Sequence, residues 1–164
     1  RSKISPNDRG GNMNPAQFDE SNITWHRLEG IDHVQYHVYD VDVERQIVDV
    51  LLKFDANEKV VLHRHHADYC TVVLQGELRL YTPKGDLKEI RPIGSYVTGK
   101  AGGEPHTEGG GDVDAIVFFS NRGTDGVIYQ ILDEDMNEVG TLGLHDFKDM
   151  MEAQNPAPYK KAAA

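Results

Sequence analysis

The chain has 164 residues, which suits one domain, and its formal net charge at pH 7 is −10. Nucleic acids and anionic membranes bind basic patches, so this charge argues against both as main partners, and we expect no binding to either. The single cysteine, Cys70, excludes an internal disulfide, and no apolar run approaches the ~18 residues of a membrane-spanning helix. No secretory signal is visible, so we expect a cytoplasmic protein.

Short strands dominate the predicted secondary structure. Gly, Asn, Pro and Asp are frequent in residues 1–20, which predicts a loosely ordered arm, followed by one domain over 21–155 and a tail over 156–164. Phe147 and two nearby methionines among polar residues predict one short C-terminal helix over 144–154. Runs of β-branched and aromatic residues predict strands, which cover 23–28, 34–39, 46–54, the histidine-bearing stretch around 63–66, 71–74, 77–81, 87–90, 96–98, 115–119 and 127–132.

This succession of strands indicates an all-β fold. Many short strands, 16 glycines at turns and one helix are typical of a sandwich or barrel. In a closed barrel every second residue of a strand lines the interior. The helix is expected to pack across one end of the barrel.

The spacing of histidines predicts a metal site inside that barrel. His63 and His65 are two residues apart, so on a strand their imidazoles leave the same face, whereas His66 points to the other. His106 follows a Gly-Gly turn and would supply a third imidazole. Three neutral imidazoles suit one divalent ion such as Fe(II), Zn(II), Mn(II), Ni(II) or Cu(II), with positions left for water or substrate. The alternative is that these are ordinary surface or core histidines.

The walls of the pocket are predicted from alternation along the strands and from position beside the histidines. Arg79 would be a fixed cation suited to a carboxylate, an enolate or a phenolate, or alternatively an exposed arginine. Cys70 would either fill space or act as a soft fourth ligand. The side chains expected inside are Cys70, Val72, Leu74, Arg79, Tyr81, Tyr96, Glu104, Val117 and Phe119.

Two stretches resemble the paired sequence motifs of the cupin superfamily. His63-Arg64-His65 with Cys70 and Gly76 resembles the first motif, and Gly94 to Val97 with Gly103 and His106 resembles the second. The resemblance covers roughly residues 45–132 and implies a double-stranded β-helix, or jelly-roll barrel, with the three histidines on a metal. The run GSYVTGKAGGEPHTE and the chain length resemble the acetylacetone dioxygenase and 2,4'-dihydroxyacetophenone dioxygenase group. Those are Fe(II) enzymes that use three histidines and cleave a carbon–carbon bond with O₂.

The sequence departs from the cupin pattern at two informative positions. Tyr69-Cys70 stands where the first motif usually has a glutamate, which predicts a three-histidine site without that fourth ligand. Lys100 stands where the dioxygenase group would have an acidic residue. A lysine at the pocket mouth would favour an acidic substrate over a neutral diketone.

The resulting hypothesis is an Fe(II) dioxygenase acting with O₂ on a small dicarbonyl or hydroxyaryl ketone, with Zn(II), Ni(II) or Mn(II) as alternative ions. Arg79 and Tyr81 are the predicted catalytic residues, which orient the substrate anion. The predicted substrate contacts are Cys70, Val72, Tyr96, Glu104, Val117 and Phe119. The alternatives are a zinc- or ligand-binding sensor without catalysis, and a non-redox isomerase or lyase whose base would be Tyr81, Tyr96 or Glu104. Cupins commonly pair through sheet edges, so a homodimer is expected.

Overall fold

The computed structural model describes residues 17–154, and within them the chain forms twelve strands and one helix. Most of the predicted N-terminal arm, and the predicted tail, lie outside these residues. The strands are β1 (His26–Arg27), β2 (Val34–Asp42), β3 (Ile47–Phe54), β4 (His63–His65), β5 (Asp68–Gln75), β6 (Glu77–Tyr81), β7 (Leu87–Pro92), β8 (Tyr96–Gly99), β9 (Thr107–Gly110), β10 (Ala115–Arg122), β11 (Val127–Leu132) and β12 (Glu138–Gly143), and the helix is α1 (Leu144–Gln154).

The described strands form antiparallel sheets, which confirms the predicted all-β class with a short C-terminal helix. The six-stranded sheet has the order β1-β2-β3-β10-β5-β8, and two three-stranded sheets have the orders β12-β11-β4 and β7-β6-β9. Strand β10 pairs with both β3 and β5, so segments far apart in sequence form the centre of the largest sheet. Fully buried side chains of the core include Val38, Val48, Val50, Phe54, Val73, Leu78, Val117, Phe119 and Ile128.

Helix α1 packs against β2 rather than standing free. Leu144 and Phe147 are its buried residues, and the Phe147 ring lies 6.0 Å from the ring of Tyr129. The Gln154 amide both accepts from the Val38 backbone N–H and donates to the Val38 carbonyl, each at 2.9 Å, which fixes the end of the helix to the strand. Among residues 17–154, no helix has the length and apolar character needed to cross a membrane.

Strands β9 and β12 were not among the predicted strands, and in β9 the reason is its glycine content. Gly109 lies directly beside the backbone of the segment that precedes β4. In this segment the Val60 N–H donates to the Glu108 carbonyl at 2.9 Å. A Cβ atom on Gly109 would clash with the carbonyl oxygen of Glu58. Glycine therefore permits a close backbone approach here, at the cost of a weak strand signal in the sequence.

The close approach at Gly109 predicts a large stability difference between two matched substitutions. Gly109→Ala should lower the free energy of unfolding by about 3 kcal/mol, because rigid backbone must move to make room. Gly140→Ala, in β12, is the control: nothing lies within 4 Å of a Cβ atom there, so its change should be near zero or slightly stabilising. Urea unfolding of both variants measures the difference, and equal stabilities would contradict the packing described.

Candidate metal centre

Four buried side chains converge at one point inside the barrel: His63, His65, His106 and Glu108. One potential ligand atom from each lies within 4.8 Å of the corresponding atoms of the other three. Such a separation allows a single ion to contact all four. The structure therefore brings together the three histidines predicted from the sequence and adds a carboxylate.

Two short paired segments position these side chains. His63 and His65 lie two apart on β4, and His106 and Glu108 lie two apart at the start of β9, so each pair leaves one face of its segment. The two segments are joined where the His63 N–H donates to the His106 carbonyl at 3.1 Å and the His106 N–H donates back at 3.0 Å. The facing pairs therefore point into the same space.

Backbone carbonyls fix the orientation of two imidazoles. Nδ1 of His63 donates to the Val61 carbonyl at 3.0 Å, and Nδ1 of His106 donates to the Glu104 carbonyl at 3.4 Å. Their Nε2 atoms face Glu108, at 3.4 Å from His63 and 3.7 Å from His106, so Nε2 is the atom that each imidazole can offer to an ion. Such carbonyl contacts are the usual outer support of metal-binding histidines.

Aromatic rings hold the third imidazole. The His65 ring lies 4.2 Å from the Tyr69 ring and 5.1 Å from the Tyr129 ring, measured between centroids. Phe119 adds a stacked ring at 6.4 Å. Within the described residues, His65 Nδ1 and His106 Nε2 are buried nitrogens without a hydrogen-bond partner. A bound ion would supply a partner for lone pairs that the protein leaves unsatisfied in this cluster.

The protonation states of the cluster follow from burial and mutual charge. Burial alone would raise the pKa of Glu108, but its hydrogen bond with His63 and the charge of the imidazoles lower that pKa to about 2. Burial lowers the pKa of His63, yet Glu108 outweighs it and raises the pKa. Burial, then repulsion from His63, hold the pKa of His65 well below its usual value, and burial also lowers the pKa of His106. An ionised carboxylate and neutral imidazoles are the forms that bind metals.

The donor set of three nitrogens and one carboxylate fits a divalent transition metal. Imidazole is the preferred ligand of iron, zinc, nickel and copper ions, whereas Ca²⁺ and Mg²⁺ take mainly oxygen ligands. The residues present therefore fit the predicted ion class. They correct the expectation of a site without a carboxylate, because Glu108 supplies one from the second motif rather than the first. The spacing His106-Thr107-Glu108 repeats the i, i+2 pattern of His63 and His65, and this signal was available in the sequence.

The inward face of β5 is the opposite of the predicted one. Thr71, Val73 and Gln75 are buried, and Tyr69 packs on His65, so the odd-numbered residues continue the inward face that begins at His63. Cys70 and Val72 leave the other face. Cys70 is buried there as a free thiol, in a hollow that it lines together with Tyr96, which is 64% exposed. The expectation that these three residues line the metal pocket is corrected, because no turn reverses the alternation between His65 and β5.

Strand β6 is also reversed relative to the prediction. Leu78 and Leu80 are buried, which leaves Arg79 and Tyr81 on the outer face. Arg79 binds Glu77 at 2.6 Å, and the Lys59 ammonium lies 3.9 Å from the centre of the Tyr81 ring. The physical cause is Gly76, whose φ of 65° in the connecting turn sets which residues of β6 face inward.

The cation beside the histidines is Arg91, from β7. Arg91 is only 7% exposed, and its Nε and Nη2 donate to Glu89 at 2.9 and 3.1 Å. It lines a polar cleft of about 330 Å³ together with His65 and His106. Arg91 therefore takes the place that the sequence analysis gave to Arg79.

The remaining predicted residues divide between the cleft and the core. Glu104 is exposed and lines the polar cleft, as do Lys100 and Lys88. Lys100 is also paired with Asp68 at 3.1 Å. Val117 and Phe119 are fully buried core residues, and Phe119 reaches the site through its contacts with the rings of His65 and Tyr69.

A second cavity of about 60 Å³ touches the cluster through different residues. His63 and Glu108 line it, and the rest of its lining is almost entirely hydrocarbon, including Leu142, Phe147 and Met150. The donor set is therefore exposed to a polar space through His65 and His106 and to an apolar space through His63 and Glu108.

Comparison with known proteins shows similarity at the level of structure. No protein-family model matches the chain, and no curated protein sequence matches it. It is similar to an RmlC-like cupin protein from Ralstonia eutropha JMP134, with 20% identity, a TM-score of 0.68, and coverage of 92% of this chain and 93% of that one. It is also similar to a putative acetylacetone dioxygenase from Methylibium petroleiphilum PM1, with 14% identity, a TM-score of 0.63, and coverage of 92% and 97%. An acetylacetone dioxygenase from Acinetobacter johnsonii gives 11% identity, a TM-score of 0.61, and coverage of 92% and 99%. These similarities confirm the predicted cupin fold.

The geometry predicts that metal binding depends on Glu108 as well as on the histidines. Glu108→Gln keeps the size of the side chain but removes its charge, so its metal affinity should fall by more than the roughly 10–100-fold that loss of an outer partner costs. His63→Ala combined with His65→Ala should abolish binding. Competition titration with Zn(II) and elemental analysis of the purified variants measure both effects.

The matched control for the metal measurement is His66→Ala. His66 is adjacent to the site in sequence, but it is exposed and forms a hydrogen bond with Gln130 at 3.0 Å. The metal affinity of this variant should therefore equal that of the wild type. A full equivalent of metal retained by the double histidine variant would refute the assignment of the ligands.

Proposed function

We propose that the protein is an Fe(II) dioxygenase that cleaves a carbon–carbon bond of a small dicarbonyl or hydroxyaryl ketone. The observation that carries the proposal is a buried His₃Glu cluster that opens to a cleft containing a buried arginine. Two of the structurally similar proteins are named as acetylacetone dioxygenases, one of them putative, which agrees with this choice. His63, His65, His106 and Glu108 would hold the metal. When bound, Fe(II) supplies Lewis acidity toward chelated oxygens and the capacity to react with O₂.

Charge balance favours an anionic substrate. Glu108 is ionised and buried, so it would reduce the charge of a divalent ion from two to one. An enolate or a phenolate carries the one further negative charge needed for neutrality, which matters most where water is excluded. A deprotonated β-dicarbonyl compound or a hydroxyaryl ketone has such an anion, and its two oxygens can chelate one ion.

Arg91 and Tyr69 are placed to orient this anion. The guanidinium has five N–H donors, and Glu89 uses two of them, so others can reach a ligand in the cleft. Tyr69 also lines the cleft and interacts with Arg91, and burial raises the pKa of its phenol, so it stays protonated and can donate. A planar arginine beside a phenol donor suits a carboxylate or an enolate oxygen.

The cations around the cleft extend this preference to acidic substrates. Arg91, Lys88 and Lys100 line the cleft against Glu89 and Glu104, so its lining is net positive on a chain whose net charge is −10. A net positive lining favours anionic ligands over neutral ones. Within the proposed class, we therefore favour a compound that carries a carboxylate in addition to its dicarbonyl group.

A homodimer and a cytoplasmic location remain predictions.

Oxygen consumption tests the proposed reaction. The protein is loaded with Fe(II) under anaerobic conditions and screened in an oxygen electrode with pentane-2,4-dione, 2,4-dioxopentanoate and a dihydroxyacetophenone. We expect substrate-dependent O₂ uptake, lost in His65→Ala and retained in His66→Ala, with the dioxo acid preferred over the neutral diketone. Stoichiometric zinc in the protein as purified, together with no uptake across the panel after iron loading, would favour the zinc- or ligand-binding sensor instead.

The role of Arg91 is tested against an arginine that lies outside the site. Arg91→Met should lower kcat/KM for the preferred substrate by about 10–100-fold, since a charge-assisted hydrogen bond contributes roughly 1.5–3 kcal/mol. Arg79→Met removes the same group from the outer face of β6, where it binds Glu77, and should change kcat/KM by less than about twofold. Steady-state kinetics of both variants measure the contrast, and equal losses would refute the assignment.

A further inference from the structure

The apolar cavity meets the metal cluster separately from the substrate cleft. Among the described residues, the two spaces share no lining residue. In the apolar cavity the polar side chains are those of His63, Glu108 and two tyrosines, and the Tyr129 hydroxyl is already bonded to Asn121 at 3.3 Å. A water molecule would therefore find few partners along the hydrocarbon part of the cavity, which favours apolar ligands there.

The size of the cavity selects its ligand. At about 60 Å³ it exceeds the roughly 10–15 Å³ needed for one water-sized molecule. It is smaller than the ~150 Å³ that admits benzene, which favours a ligand of a few atoms over a dicarbonyl or aryl substrate. Ile131, Leu142 and Met150 are only partly buried around it, so small molecules can reach it from the surface.

We propose that this cavity binds a small apolar gas, and that this gas is O₂. The identity of the gas rests on the proposed dioxygenase function; the apolar character and the size of the site do not. O₂ is a neutral diatomic molecule that dissolves better in hydrocarbon than in water, so an apolar cavity concentrates it. His63 and Glu108 form the polar end of the cavity, so bound O₂ lies beside two of the four ligand side chains. The anionic substrate uses the cleft at His65 and His106, and the two reactants do not compete for one route.

Dissolved O₂ is paramagnetic, and methyl NMR detects its binding directly, without any turnover. Spectra of the full-length Zn(II)-loaded protein are recorded under N₂ and under O₂. The methyl groups of Ile131, Leu142 and Met150 should show relaxation enhancements several-fold larger than those of Val72 and Leu74. These two residues are the control because they are also partly buried but do not line the cavity. Equal enhancements in the two groups would overturn the proposal.

Substitutions that fill the cavity test whether gas binding there contributes to the reaction. Leu142→Phe should abolish the enhancement at Ile131 and Met150, and in the Fe(II)-loaded protein it should raise KM for O₂ several-fold without changing the Kd for the organic substrate. Met150→Trp fills the same space from α1 and gives a second variant. Val139→Phe adds a ring on the same strand as Leu142 at a residue that is 62% exposed, and it should change neither quantity.

The outcomes separate the two proposals. If the filled variants lose the enhancement but keep the wild-type KM for O₂, the cavity does not supply O₂ to the reaction and the inference is overturned. If the wild-type protein shows no O₂ uptake with any substrate, the dioxygenase function fails, while the methyl comparison still decides whether the cavity binds O₂.

Discussion

The contact between Glu108 and His63 is the interaction on which the rest of the site depends. A carboxylate buried as completely as Glu108 would cost several kcal/mol unless it were paired and hydrogen-bonded. Pairing requires β4 and the start of β9 to lie side by side, which the mutual backbone hydrogen bonds of His63 and His106 achieve. It also requires β9 to pass close beside the segment around Glu58, which Gly109 allows. Gly109 in β9 therefore allows Glu108 to reach its buried position beside His63.

The same contact prepares the cluster for a cation. Without a metal, Glu108 raises the pKa of His63, while His65 and His106 are held neutral. Glu108 therefore favours a proton on His63 at the position opposite the carboxylate. A divalent ion would take over that role and release the proton, since ligands bind in their deprotonated forms. The carboxylate is stabilised in both situations, which explains how the protein can keep a buried charge there.

The sequence predicts the three histidines and the all-β class from local rules, whereas the cupin fold is implied by the resemblance of two motifs. His63 and His65 share a face by the period of a strand, and the same rule applied after His106 would have identified Glu108. The same alternation, continued from His65, would also have placed Cys70 and Val72 on the outer face of β5, with Tyr96 paired to Val72. The facing of Arg79 could not be deduced in this way, because it depends on the turn at Gly76, and a single-residue change in a turn reverses every side chain that follows. Arg91 was missed for a related reason, because its strand β7 pairs with the reversed β6.

The two spaces beside the cluster differ in charge as well as polarity, and this difference makes the two sides of the metal centre favour different ligands. Arg91, Lys88 and Lys100 all line the side of His65 and His106, while the apolar cavity presents the negative Glu108 among hydrocarbon. An approaching anion is attracted on the first side and repelled on the second, and desolvation opposes it there as well. A neutral apolar molecule has the opposite preference, because it gains nothing from the cations and avoids water in the cavity. In the proposed reaction, this arrangement would direct the anionic substrate and the neutral gas to different sides of one set of ligands without any moving part.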